Sequence, residues 1–170
     1  MLPHEVNVLL AWLHIIFAVG WMGTAMFLVS VLTPSMAGLS SASRGELVLQ
    51  LFPRLIRYVT VSATMTLVIG ILLVFGLFGD NLAILSPTTT RGLGITVGGS
   101  LALVAYALAL GVSLPSARKV VKMVKASQQS LQQDPATGMA KLQTRIRLAA
   151  TSVVALLALA LVFMVVAARL

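Results

Sequence analysis

The sequence has no cysteine and very few charged residues. Only 9% of its 170 residues are charged, and just four of them are acidic. The lack of cysteine excludes disulfides, thiolate metal ligands and cysteine nucleophiles. A soluble domain carries about 25% charged residues, so this chain cannot cover a globule with ionised side chains. We therefore expect an integral membrane protein.

Apolar residues make up the bulk of the chain, at 59%, and the mean hydropathy is +1.03. A helix needs about 20 such residues to cross the hydrocarbon of a bilayer. Four runs are long enough, and Pro and Gly mark the first two connections, around Thr33 to Glu46 and Gly79 to Thr88, as loops. The predicted fold class is all-α, a polytopic membrane four-helix bundle that forms one transmembrane domain over residues 1–170. The predicted spans are residues 6–32, 55–78, 92–114 and 148–168.

The distribution of charge predicts the orientation of the bundle. Ten of the twelve cations fall in the first and third connections, and the other two are Arg91 and Arg169. Because basic loops stay in the cytoplasm, we expect both termini on the outer side of the cytoplasmic (inner) membrane of a prokaryote. Glu46 and Asp134 accompany the ten cations, so the whole net charge of +8 is expected on the cytoplasmic side.

The third connection begins with a basic, amphipathic pattern. In residues 115–126 four cations alternate with Val and Met at helical spacing, which predicts a cytoplasmic extension of the third helix. We expect its apolar side to lie on the membrane and its cations to meet anionic headgroups, at about 1 kcal/mol per cation. No interleaved aromatics or recognition motif accompany them, so no nucleic-acid partner is expected. The four cations are Arg118, Lys119, Lys122 and Lys125.

His14 is the one clear ionisable residue inside a predicted span. Such groups are energetically costly in hydrocarbon and by default mark a site. Helical spacing places His14 and Trp21 on one face of the first helix, which we expect to look into the bundle. Three roles are open for His14: a haem ligand, a proton relay, or an imidazole hydrogen-bonded to a Ser or Thr of a neighbouring helix. His4 lies about 15 Å away along the axis, so the two histidines cannot sandwich one haem, and we interpret His4 as interfacial.

Three further side chains are candidates for the same site. A second axial ligand would have to be a thioether: Met164 lies at a height comparable with His14, and Met65 lies near the middle of the second span. Methionine is equally an ordinary packing residue. Arg57, on one face with Thr60 and Thr64, either snorkels to the interface or holds an anionic group such as a haem propionate.

Two stretches resemble the CopD-like and HemJ-like membrane proteins. The run from Leu13 to Gly23 pairs Leu with His14 and places Trp21 seven residues later, before a small residue. In the second span, the Arg-Leu-x-Arg-x-x-Thr segment that begins at Arg54 leads into a Thr and a Gly, as in protoporphyrinogen oxidases of the HemJ type. The likeness covers roughly the first eighty residues.

That resemblance implies a bundle of four or five helices, membrane redox chemistry or haem metabolism, and a b-type haem or porphyrin near His14. In this interpretation His14 is the ligand of the haem iron, Trp21 is a wall of the pocket and Arg57 is an anion partner. The alternative is a non-catalytic accessory subunit that packs against a larger membrane oxidase or transporter. Glycines at close-packing spacing, above all Gly94 and Gly98, also leave a homo-oligomer open.

A permease is the weakest interpretation. Asp and Glu are absent from all four predicted spans, so no pathway of ionisable residues can be drawn through the membrane. No phosphate-binding loop, zinc-protease motif or dinucleotide turn is present in the sequence either.

Overall fold

The computed structural model describes residues 2–79, 85–129 and 136–169, without the side chains of residues 129, 136–140 and 169. Every regular element within these ranges is helical. Four helical stretches are long and apolar enough to cross a membrane: His4–Ala37, Ser41–Phe78, Thr90–Gln128 and Lys141–Ala168. The predicted all-α, membrane-type four-helix bundle is confirmed. The helices are α1 (His4–Phe27), α2 (Thr33–Ala37), α3 (Ser41–Phe78), α4 (Thr90–Leu108), α5 (Leu114–Gln129) and α6 (Ala136–Arg169).

Two of the four stretches contain a π-helical turn that ends two residues before a proline. Leu28–Leu32 joins α1 to α2, and Ala109–Ser113 joins α4 to α5. Proline has no N–H and its ring clashes with the carbonyl four residues earlier. The N–H groups of Thr33 and Leu114, which precede the prolines, therefore bond to carbonyls five residues back. The chain remains helical through both turns.

The helices are longer than the predicted spans at the end that carries most of the cations, which we call the basic end. α3 begins at Ser41, where the Ser40 hydroxyl accepts a hydrogen bond from the Ser43 N–H at 3.2 Å. The first connection was predicted as a loop through Glu46, and this is wrong, since only residues 38–40 separate α2 from α3. α5 continues the third helix directly, and α6 begins twelve residues before the fourth predicted span.

The spans are arranged as two antiparallel pairs. α1 packs along α3 and α4 packs along α6, while α1 also contacts α6. The main core lies where the pairs meet and is centred on Trp21, which is 1% exposed. Small residues dominate the rest of this core, so the helices approach closely. Its other buried members are Ala25, Ala63, Ala105, Ala109, Val153 and Leu157.

A second core lies at the basic end. Val120 and Val124 of α5 are buried against Val48 of α3, and Leu142 and Ile146 of α6 pack against the same cluster. The expectation that the apolar side of residues 115–126 lies on the membrane is therefore wrong for these two valines, which are covered by the protein itself. The cations Arg118, Lys119, Lys122 and Lys125 remain exposed. Asp80 and Asp134 lie outside the described residues, as does the side chain of Arg169.

Candidate functional site

His14 is half-buried on α1, where its ring faces α3. Its Nδ1 lies 2.9 Å from the backbone carbonyl oxygen of Thr66. A carbonyl can only accept, so Nδ1 carries the proton in this bond and Nε2 of the neutral ring keeps a free lone pair. Of the three roles left open by the sequence, the interhelical hydrogen bond is present, although its acceptor is backbone rather than a hydroxyl.

Glycine on α3 provides the space for the ring. A Cβ atom added to Gly70 would lie 2.9 Å from Cε1 and 3.1 Å from Nδ1 of His14, but 3.9 Å from Nε2. The Nδ1–Cε1 edge is therefore the one pressed against α3, and the Nε2 atom is the farthest of the three from this contact. The free nitrogen is therefore the ring nitrogen that does not face Gly70.

The same arrangement recurs along the α1–α3 contact. Asn7 lies against Gly76 and donates from its side-chain nitrogen to the Gly76 carbonyl at 3.4 Å. In the opposite direction, the Tyr58 hydroxyl of α3 occupies the space beside Gly20 of α1. Polar side chains of each helix thus fill the space that a glycine leaves on the other helix, which we call a glycine notch. Together with the His14–Gly70 contact, these contacts fix the register between α1 and α3 at three positions.

Trp21 is the centre of the main core. Its ring meets that of Tyr106 edge-on, with centroids 6.3 Å apart and an interplanar angle of 87°. The Tyr106 hydroxyl lies 3.0 Å from the hydroxyl of Thr64. A chain of contacts from Trp21 through Tyr106 to Thr64 thereby ties α1, α4 and α3 together. Trp21 was predicted to be a wall of the haem pocket. In the structure its ring is already covered by other side chains, at 1% exposed.

The other predicted site residues do not pack where His14 packs. Met164 of α6 lies against Gly98 of α4, where an added Cβ would be 2.9 Å from Met164 Cγ, whereas His14 lies against α3. Arg57 is exposed and is nine residues from Thr66 on α3, about 14 Å along the helix axis. Met65 is 40% exposed and His4 is exposed at the start of α1.

The side chains that could act as ligands limit which metals the protein could bind. Within the described residues there is no group of three or more His, Cys, Asp or Glu side chains that could hold an ion. Haem iron differs, because its macrocycle supplies four nitrogens and the protein supplies only axial ligands. Among the described candidates, His14 has an unprotonated Nε2, and Met164 packs against Gly98 of α4 rather than beside His14.

Two open cavities lie at the basic end, each beside a proline inside a helix. One, of about 410 Å³, is lined by Leu49, Pro53, Val121, Lys125 and Gln128. The other, of about 190 Å³, is lined by residues of the third helix around Pro115 and by two residues of α6. Neither cavity is lined by His14, Trp21 or Met164.

No family model, curated protein or solved structure was found to match the chain. The resemblance to the CopD-like and HemJ-like proteins therefore depends on the motifs of the first two spans alone.

Several residues of this region were not singled out from the sequence. Asn7, Thr66 and Tyr106 each make a contact that connects helices. One signal was available: Asn7, His14 and Trp21 are spaced seven residues apart, the period of a helix face that packs against a partner helix. No comparable signal identified Tyr106.

Proposed function

We propose that this chain is a haem-associated membrane redox or haem-metabolism protein of the CopD/HemJ-like type, with His14 as the ligand of a b-type haem or porphyrin. The observation that carries the proposal is the bond from His14 Nδ1 to the Thr66 carbonyl. Metal-ligating histidines almost always donate their other ring N–H to a carbonyl, carboxylate or water, which fixes the tautomer and the ring orientation. A His14 that is oriented in this way presents a lone pair on Nε2.

Each neighbouring residue has a defined role in this proposal. A bound haem iron would supply one-electron chemistry. Thr66 holds the proton on Nδ1, and Gly70 lets the imidazole approach the α3 backbone closely enough for that bond. Trp21 fixes α1 in the bundle two turns beyond His14. Arg57 remains a candidate for pairing with a propionate, and Met164 for a second axial ligand.

The positions of the charges support a cytoplasmic-membrane location with the basic end inside. Arg44, Arg54, Arg57, Lys141, Arg145 and Arg147 join the four cations of α5 there. Under the positive-inside rule this end faces the cytoplasm and both termini face outward. His14 would then lie in the outer half of the bilayer, and the exposed cations of α5 would meet anionic headgroups.

Visible spectra of the purified chain test the proposal. The chain is solubilised in a mild detergent after expression with added haem, and spectra are recorded in oxidised and reduced states. We expect a haem spectrum from the wild type and from His4→Ala, the matched control, and its loss in His14→Ala. Added imidazole should restore the spectrum of His14→Ala, because it can replace the missing axial nitrogen. A wild type without haem absorbance, or a His14→Ala variant that binds haem like the wild type, would show that the proposal is wrong.

A second candidate is a non-catalytic accessory subunit of a larger membrane oxidase or transporter. The observation that favours it is that His14, Trp21 and Met164 are all engaged in helix packing, against Gly70, Tyr106 and Gly98 respectively. A side chain that fills a notch needs no ligand to explain it. Co-purification of stoichiometric membrane partners with a colourless chain would support this candidate, whereas a coloured homo-oligomer would support the first.

A further inference from the structure

The smaller of the two cavities lies where the third span enters the basic end, far from His14 along the sequence. It has a volume of about 190 Å³. One water needs about 10–15 Å³ of such space, so the cavity has room for a polyatomic group. It is lined by Gly111, Val112, Pro115, Ser116 and Lys119 of the third helix and by Leu142 and Arg145 of α6.

The local sequence explains why this space is not filled. The π-helical turn Ala109–Ser113 ends two residues before Pro115, and in it the Leu114 N–H reaches back to the Ala109 carbonyl. Gly111, four residues before the proline, contributes no side chain, and a Cβ added there would meet nothing within 4 Å. π-helical turns of this kind are frequent at functional sites. Both Gly111 and Pro115 line the opening, and the missing side chain of Gly111 leaves space beside it.

The lining combines two cations with apolar residues. Lys119 and Arg145 come from different helices, and Ser116, which also lines the cavity, is 7% exposed. The described acidic residues lie elsewhere, with Glu5 at the opposite end of α1 and Glu46 accepting a hydrogen bond from Gln50. Two cations that share a cavity without a carboxylate in its lining attract an anion.

We propose that this cavity binds the phosphate group of an anionic phospholipid from the leaflet at the basic end. Arginine's planar fork matches phosphate oxygens, and lysine adds a point charge. The cavity lies at the junction of an apolar span and a cationic segment, where lipid headgroups are found, and basic pockets between transmembrane helices bind such headgroups. Val112 and Leu142 provide apolar surface for the adjoining part of the lipid. The proposal does not depend on haem binding.

Native mass spectrometry of the full chain in detergent measures this binding directly. The chain is titrated with phosphatidylglycerol, with zwitterionic phosphatidylcholine and, separately, with inorganic phosphate. The site variant is Lys119→Gln with Arg145→Gln. The matched control is Arg118→Gln with Lys122→Gln, which removes two exposed cations of α5 that do not line the cavity. A third variant, Gly111→Leu, fills the cavity without changing charge.

We expect one phosphatidylglycerol to bind the wild type and the control double variant with similar affinity, because Arg118 and Lys122 do not line the cavity and in detergent they face no charged bilayer surface. The site double variant should bind it about thirtyfold more weakly, the effect of removing two cations near a headgroup, and Gly111→Leu should also lose it. The melting temperature without lipid identifies any variant that is misfolded. Equal losses in the two double variants would mean diffuse attraction and would overturn the proposal, as would retention in Gly111→Leu. Tighter binding of inorganic phosphate than of the lipid would overturn the lipid assignment.

Discussion

The imidazole of His14 lies directly against the backbone of Gly70, with its Nδ1 on the carbonyl oxygen of Thr66 one helical turn away. The two facts are connected, because only glycine leaves space for the ring at the distance that the hydrogen bond requires. Because Gly70 has no side chain, α1 and α3 can approach each other closely at this level.

Replacing Gly70 by alanine should therefore destabilise the bundle. The new Cβ would be 2.9 Å from His14 Cε1, so the ring must move and the bond to Thr66 must lengthen. Overpacking of this kind costs about 1–3 kcal/mol, measured as a lower unfolding midpoint in detergent. Gly23→Ala on α1 is the control, since a Cβ there meets nothing within 4 Å. Equal midpoints for the two variants would contradict the proposed close contact.

The α4–α6 contact should be more sensitive to a glycine-to-alanine substitution than the α1–α3 contact, because Gly94 of α4 faces backbone atoms of α6. A Cβ added to Gly94 would lie 2.6 Å from the Phe163 carbonyl oxygen and 2.7 Å from Ala167 Cβ. We expect Gly94→Ala to lower stability by about 1–3 kcal/mol, and by more than Gly70→Ala, because a backbone cannot rotate away. Gly99→Ala on the same helix meets nothing and should be neutral or stabilising by up to about 1 kcal/mol. The unfolding midpoints of the two alanine variants give the comparison, and a neutral Gly94→Ala would show that α4 and α6 are farther apart.

The Thr64–Tyr106 hydrogen bond, at 3.0 Å, should appear as a coupling energy. Thr64→Val and Tyr106→Phe each remove one hydroxyl, and a double-mutant cycle isolates their interaction. Interhelical hydrogen bonds in membranes average about 0.6 kcal/mol, which is the value we expect. The Thr60 hydroxyl donates within its own helix, to the Ile56 carbonyl, so a cycle of Thr60→Val with Tyr106→Phe should be additive. Coupling in the second cycle and not the first would be inconsistent with the described contacts.

The number and the helical nature of the spans could be predicted because each apolar run is continuous and close to 20 residues or longer. The extension of the third helix over residues 115–126 could also be predicted, from its helical spacing, and α5 covers it, but the extensions of α3 and α6 could not. Residues 41–54 contain Gly45, Pro53 and three charged side chains, so hydropathy alone did not identify α3 there, although Ser40 is a favourable N-cap. The face that His14 and Trp21 share followed from helical periodicity. The pairing of His14 with Gly70 depends on the register between two helices, and one sequence contains no information on that register.

The chain itself provides a clean test of its orientation, because it has no cysteine. Single-cysteine variants Glu5→Cys and Lys122→Cys replace exposed residues at opposite ends of the bundle. In intact cells a membrane-impermeant maleimide should label Glu5→Cys and leave Lys122→Cys unlabelled. Both variants should react after the membrane is permeabilised. The reverse pattern in intact cells would place the basic end outside.

The second core of Val48, Val120 and Val124 is stabilised by a different force from the helix contacts inside the membrane. A helix of 38 residues such as α3 is about 57 Å long, whereas the hydrocarbon of a bilayer is about 30 Å thick, so close to half of it projects beyond the lipid tails. In that projecting half, burial of valine is driven by water, as in a soluble protein. Among lipid tails that force is absent, and close packing and hydrogen bonds hold the helices. We therefore expect urea to destabilise mainly the basic end, and the choice of detergent to affect mainly the α1–α3 and α4–α6 pairs.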